Sequence, residues 1–187
     1  MEENIDITVH ELTRWIKQKE YKNIRTFFDE TNIVDGALLV DELATEDLLH
    51  LFKIVRKEVG AELISYLGSN TIERLTYNLT RSQIQSLLEE MYSDDLNEIL
   101  SELPETLVTK VLQSASPELR KQINEFLSYK PNSCGSIMSV DFVTIRDSYT
   151  VAQAMRAIRR QGKIAETINW CYVVDDNKRL IGSIPLK

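Results

Sequence analysis

The sequence predicts a mainly α protein, a superhelix of short repeated helices over residues 1–130 followed by a partial α+β unit over 131–187. Three observations carry that reading. Apolar residues recur at i, i+3 and i+4 through the first two thirds of the chain. Helix-opening clusters return every roughly 11–13 residues. After the breaker run Lys130-Pro131-Asn132-Ser133-Cys134-Gly135-Ser136 the pattern changes to short β-prone runs.

In chain order, the first stripes are Leu12, Trp15 and Ile16, then Ile24, Phe27 and Phe28. Leu48, Leu49, Leu51, Phe52 and Val55 follow, then Leu63, Ile64 and Leu67. Ile84, Leu87, Leu88 and Met91 precede Leu96, Ile99, Leu100 and Leu103. The last two are Leu107, Val108, Val111 and Leu112, then Leu119, Ile123, Phe126 and Leu127. Each stripe is about three turns of amphipathic helix. The openings fall at Thr45-Glu46-Asp47, Ser69-Asn70-Thr71, Thr80 to Gln83, Ser93-Asp94-Asp95, Pro104-Glu105 and Ser116-Pro117-Glu118. Thr80 with Gln83 fits a capping box, and Ser116 caps a helix whose first turn tolerates Pro117. Helices this short are marginal alone and must bury their stripes on neighbours, which favours repeat stacking over a four-helix bundle. The winding, right- or left-handed, is not written in the period.

Beyond the breaker, Val140, Phe142, Val143 and Ile145 read as a strand, and Thr150 to Ile158 as an amphipathic helix opened by Ser148 or Thr150. Trp170 to Val174 is a continuous β-prone run suited to a buried strand. Asp175-Asp176-Asn177-Lys178 is a hairpin turn, and Leu180 to Ile184 the returning strand.

Charge divides at the same place. The 187 residues carry 22 Lys+Arg and 29 Asp+Glu, a net −7. Residues 1–130 hold 24 acids and 14 bases, whereas 131–187 hold 5 acids and 8 bases. A pI near 5 argues against a nucleic-acid or anionic-membrane surface. Neither a signal peptide nor an apolar run of membrane-spanning length is present, which predicts a soluble, cytoplasmic segment without membrane insertion. Cys134 and Cys171 show neither zinc nor disulfide spacing, in keeping with a reducing compartment.

Enzyme signatures are missing. No G-x-S-x-G, P-loop or G-x-G-x-x-G occurs, His10 and His50 lie forty residues apart, and nothing basic adjoins the Cys134 thiol. An enzyme is the least favoured class. Arg156, Arg159, Arg160 and Lys163 form a basic helical stripe, read first as a solvated face and otherwise as a dock for an acidic partner. Trp170 and Tyr172 read as core, with base stacking as the alternative. The informative feature is acidic: the 28 residues between Arg81 and Lys110 hold seven acids and no Lys, Arg or His. Asp94 and Asp95 suit a helix N-terminus, but like charges at i, i+4 such as Asp94/Glu98 and Glu98/Glu102 cost about 0.2–0.5 kcal/mol per pair. Two readings stand: a solvated face aiding solubility, or oxygen ligands for a hard cation such as Mg²⁺ or Ca²⁺.

Motifs then bring in a resemblance. Met91-Tyr92-Ser93-Asp94-Asp95-Leu96 through Leu103-Pro104 resembles the M-x-x-D-D-L…L-x-E-L-P repeat of the cytosolic part of MgtE-type magnesium transporters. Tyr129 to Met138 resembles that family's Y-x-x-x-x-A-G-G-x-M junction, with Cys134 and Ser136 in place of small Ala and Gly. Ala165 to Ile168, Tyr172 to Asp175 and Arg179 to Gly182 resemble the first strands of a cystathionine-β-synthase-type (CBS) motif. The resemblance implies an MgtE N domain over 1–130 and a first, incomplete CBS motif over 131–187. It also implies a cytosolic region that senses Mg²⁺ and stabilises a closed channel. Carried over by position, the metal ligands are Glu62, Asp94, Glu98 (where the family usually has Asp) and the backbone carbonyl of Ser136. Implied partners are Mg²⁺, a second CBS motif, a transmembrane domain and a second copy in a homodimer. No nucleic acid is implied. Two alternatives from other classes remain: a protein-binding scaffold akin to flagellar motor-switch repeats, and a CBS-type adenine-nucleotide sensor.

Overall fold

The computed structural model describes residues 8–130 and 133–186; Pro131 and Asn132 of the expected breaker lie outside them. By contacts the chain divides into Met1–Met91 with Asp95–Ser136, and Tyr92–Asp94 with Ile137–Lys187.

The described residues up to 130 form ten short helices, all within the first unit except Ser93 and Asp94 at the start of the eighth. They are α1 (Val9–Gln18), α2 (Tyr21–Glu30), α3 (Ile33–Asp41), α4 (Thr45–Ile54), α5 (Lys57–Ile64), α6 (Ser69–Asn78), α7 (Arg81–Leu88), α8 (Ser93–Glu102), α9 (Glu105–Ser114) and α10 (Pro117–Leu127). A 3₁₀ turn, Cys134–Ser136, follows. Alternate helices stack: α2 on α4, α3 on α5, α4 on α6, α5 on α7 and α7 on α9. This skip-one pairing is how helices of 8–11 residues share one continuous core. Leu12, Ile24, Leu48, Leu51, Leu63 and Ile123 are fully enclosed in it.

The expected stripes face the core except at Leu127, which is exposed, and the expected helix starts hold, but several caps come from elsewhere. Thr80 and Ser116 cap as expected, Thr80 through a complete capping box with Gln83. Thr45 and Ser69, by contrast, sit inside their helices and cap nothing. At α6 the N-cap is Gly68, whose N–H donates to both carboxylate oxygens of Asp41, each at 3.1 Å. Helix α3 gave no stripe: Ile-Val-Asp-Gly-Ala-Leu-Leu-Val is apolar almost all round, and Val34 and Leu38 stay exposed. Gly36 is the close-approach point, since a Cβ there would stand 3.0 Å from the Phe28 ring.

Helix C-termini are closed by cations. Lys110 Nζ on α9 donates to the carbonyls of Thr76, Tyr77 and Leu79 at the end of α6, each at 2.8 Å. Arg74 reaches the carbonyls of Leu43, just past α3, and of Asp41, its last residue, at 3.0 and 3.4 Å. Arg120 donates to the carbonyls of Leu112 in α9 and of Ala115, its C-cap, at 2.7 and 3.2 Å. Each satisfies acceptors that a helix end leaves without intrahelical partners.

The second unit orders β1 (Val143–Arg146), α11 (Val151–Gln161), β2 (Trp170–Val174) and β3 (Leu180–Pro185). Strand β2 is central, parallel to β1 through the α11 crossover and antiparallel to β3. Thr150 caps α11 with a second capping box, to Gln153. Lys178 takes the left-handed φ of 61° in the hairpin, where Asp175 Oδ1 accepts from the N–H groups of Asn177 and Arg179. Gln161 closes part of the β1 edge: its amide donates to the Thr144 carbonyl (2.8 Å) and its oxygen accepts from the Thr144 N–H (3.1 Å).

Two expectations for this unit need correction. The first strand starts at Val143; Val140 and Phe142 precede it and are exposed. Strand β2 is central without being buried. Only Cys171 is enclosed, with Trp170 51% exposed rather than in the core. The reason is coverage. Helix α11 packs over β1, closing a core of Val143, Ile145, Ala157, Ile158 and Cys171, while Ile184, paired with Cys171, stays exposed.

Candidate metal site

The acidic stretch is only partly free. Asp95 Oδ2 accepts from the Ser65 hydroxyl at 2.7 Å, and Glu102 Oε2 accepts from the Ser69 hydroxyl. Both bonds tie α8 to the α5–α6 corner of the first unit. Glu89 accepts from the Gln85 amide at 2.9 Å. Three of the seven acids are therefore already engaged in hydrogen bonds.

Of the ligands nominated by resemblance, Glu62 on α5 and Glu98 on α8 are exposed. Asp94 sits in the first turn of α8, half-buried, and its Oδ1 is buried with no hydrogen-bond partner. An unpaired buried carboxylate oxygen is costly, so this atom calls for a cation or water. The Ser136 carbonyl is already engaged: it accepts from Asn97 Nδ2, on a residue only 6% exposed. A carbonyl has two lone pairs, so one acceptor direction remains. Among the described residues no three His, Cys, Asp or Glu side chains gather closely enough to hold a metal ion. Magnesium keeps several waters and takes only one or two carboxylates per ion.

Asn97 is absent from the residues that the sequence nominates. The available signal was its spacing: Ser93, Asn97 and Leu100 stand at i, i+4 and i+7, which puts a polar residue inside an apolar stripe. Ser93 is likewise buried, and serves α8 differently from a cap. Its N–H donates to Asp141 Oδ2 (2.7 Å), and its Oγ accepts from the Val140 N–H (2.9 Å).

The remaining candidates carry less. His10 and His50 are exposed. Cys134 is an exposed free thiol, and burial pushes the Cys171 thiol up. Arg156, Arg159, Arg160 and Lys163 are all exposed, with no ion pair among the described residues. The second unit also holds a cleft of about 750 Å³ lined by Phe142, Tyr149, Tyr172, Arg146, Arg160 and Lys178 among others. Phe142 and Tyr172 meet edge to face there, ring centroids 5.2 Å apart.

Comparison with known proteins bears on both units. Residues 31–132 match the family described as MgtE intracellular N domain, and residues 134–187 match the CBS domain. The magnesium transporter MgtE of Bacillus subtilis is 28% identical over 162 residues, covering 80% of this chain and 36% of that protein. The magnesium transporter MgtE of Thermus thermophilus is 26% identical over 190 residues, covering all of this chain and 42% of that protein. The chain thus spans less than half the length of these relatives. A crystal structure of the soluble part of a magnesium transporter superposes with a TM-score of 0.86 at 27% identity, covering 95% of this chain and 70% of that one. The cytosolic domain of the Mg²⁺ channel MgtE in complex with ATP gives 0.82 at 26% identity, covering 95% and 73%. No helix of the described residues is long and apolar enough to cross a membrane. With the family match spanning more than half its length, the chain belongs to the MgtE intracellular N domain family and carries a CBS domain after it.

Proposed function

We propose that this chain is the cytosolic Mg²⁺-sensing regulatory region of a magnesium transporter, and that bound Mg²⁺ stabilises the transporter's closed state. The carrying observation is the buried, unpartnered Oδ1 of Asp94 at the start of α8, with Glu98 one turn on. Carboxylates of Glu62, Asp94 and Glu98 and the second lone pair of the Ser136 carbonyl supply oxygen ligands, and water completes the shell. An ion that binds one state better than another shifts the population toward it, which is all that regulation requires. The second CBS motif, the membrane domain and a second copy of the chain are the partners this role needs. The domains act as 1–130 and 131–187.

The test is a Mg²⁺ titration from micromolar to tens of millimolar, read as protease protection of segment 129–138. Protection should rise with Mg²⁺ and be lost in the Asp94→Asn/Glu98→Gln double variant. Protection that ignores the double substitution sinks the site. The absence of any Mg²⁺ response favours the scaffold reading, in which the acidic face binds a protein.

A second reading has its own observation. The cleft of the second unit sets Arg146, Arg160 and Lys178 beside the aromatic faces of Phe142 and Tyr172. That pairing of cations and aromatic faces suits an adenine nucleotide, so a shift in cleft exchange on adding ATP or AMP supports nucleotide sensing.

A further inference from the structure

The turn that presents the Ser136 carbonyl is held in three ways within the first unit. Its own backbone closes it, the Ser136 N–H donating to the Ser133 carbonyl at 3.0 Å, with the Ser136 hydroxyl on the same oxygen at 2.9 Å. Tyr129 packs over it so closely that a Cβ on Gly135 would fall 2.5 Å from the ring. Both of these come from within the segment. The third hold comes from α8, more than thirty residues earlier, where the Asn97 carboxamide donates to the Ser136 carbonyl.

Asn97 has no local reason to be where it is. Asparagine is a poor residue for a helix interior, and burying its amide is unfavourable unless a partner waits. It stands in α8 beside Leu96, Ile99 and Leu100, all buried. The partner also fixes which way the amide faces, because only its NH₂ can meet a carbonyl oxygen.

We propose that Asn97 is a positioning residue, a metal-independent latch that holds the Ser136 carbonyl to α8 when no ion is bound. A neutral amide N–H gives that oxygen the positive partner that a cation would otherwise supply, and leaves one lone pair directed elsewhere. The 134–136 turn is thus preset before Mg²⁺ arrives, rather than built by it. The Mg²⁺ arm of this inference rests on the reading of Ser136 as an ion ligand; the latch itself does not.

The experiment compares the whole chain with Asn97→Ala and Asn97→Asp by amide hydrogen exchange, first in EDTA and then in Mg²⁺. In EDTA the Ser136 amide should exchange about tenfold faster in both variants, the loss of one hydrogen bond's hold on the turn, while amides of α1–α6 keep their protection. Asn97→Asp sets a carboxylate against the carbonyl, so Mg²⁺ should restore its protection and leave Asn97→Ala open. Unchanged Ser136 exchange in EDTA in folded Asn97→Asp overturns the latch. With the latch effect intact, failure of Mg²⁺ to rescue Asn97→Asp counts against Ser136 as a ligand. Should both variants fail to fold, the wild-type side-chain amide protons of Asn97 decide. Protection from solvent in EDTA supports the latch, and exchange as fast as that of an exposed asparagine overturns it.

Discussion

Leu63 on α5 and Ile181 on β3 are residues of similar size in opposite circumstances: Leu63 is fully enclosed, whereas Ile181 is 56% exposed. The contrast runs through their units. In the helical unit, stripes from alternate helices close over one another, and several helix-end carbonyls are met by side chains sent from other helices. In the α+β unit, one helix covers one part of a three-stranded sheet, and Trp170, Leu180, Ile181 and Ile184 remain exposed. Apolar residues therefore make a finished core in one region and an open face in the other. What differs is whether each apolar face meets another.

The largest test of that contrast is Leu63→Ala. The side chain is fully buried in the shared core, so the substitution removes transfer energy and leaves a cavity, costing about 3 kcal/mol. Chemical denaturation should show the midpoint of the helical unit falling with little change in slope. A loss under about 1 kcal/mol would mean that the stack readjusts around α5 and is not closely packed there.

A second test separates packing from polar matching. Lys110→Met keeps most of the side chain's apolar stem but withdraws an ammonium whose three donors all meet carbonyls at the end of α6. Charge-assisted hydrogen bonds are the stronger kind, and leaving their acceptors unsatisfied adds to the loss, so the expected cost is about 2 kcal/mol. Amides in the last turn of α6 should lose exchange protection first. A methionine variant as stable as wild type would show that water replaces the lysine at no cost.

These residues also mark how far a sequence can be read. Stripes such as Leu12, Trp15 and Ile16 were legible because helical periodicity is local, and Thr80 with Gln83 because a capping box spans four residues. Helix α3 was hidden because a run apolar on every side has no period. Asp41 reaching Gly68, and Lys110 reaching Thr76 to Leu79, were hidden because their partners lie roughly thirty residues away in sequence, and only stacking brings them together. The open face of β2 was misread because a continuous β-prone run says that a strand suits burial, not that anything covers it. At the candidate site, Asp94 and Ser136 were nominated by motif, whereas Asn97 needed the structure. A polar residue within an apolar stripe says that a partner exists, without saying which.

The smallest expected effect belongs to Ile181→Thr, which probes the open side of the comparison. Ile181 has no register partner: Gly182 pairs with Val173 and Leu180 with Val174, so Ile181 is the extra residue of a bulge in the edge strand. Threonine keeps the β-branch that suits a strand and exchanges a largely solvated methyl surface for a hydroxyl. Little apolar area leaves a protein environment, so stability should stay within about 0.5 kcal/mol of wild type. The exposed apolar area shrinks, so binding of a hydrophobic dye and self-association at high concentration should both fall. The two readouts pull apart only if the face is open in solution. A loss of about 2 kcal/mol, or a midpoint that depends on protein concentration in wild type and not in the variant, would show that a second copy covers Ile181. The second unit would then finish its core between chains, as the first does within one.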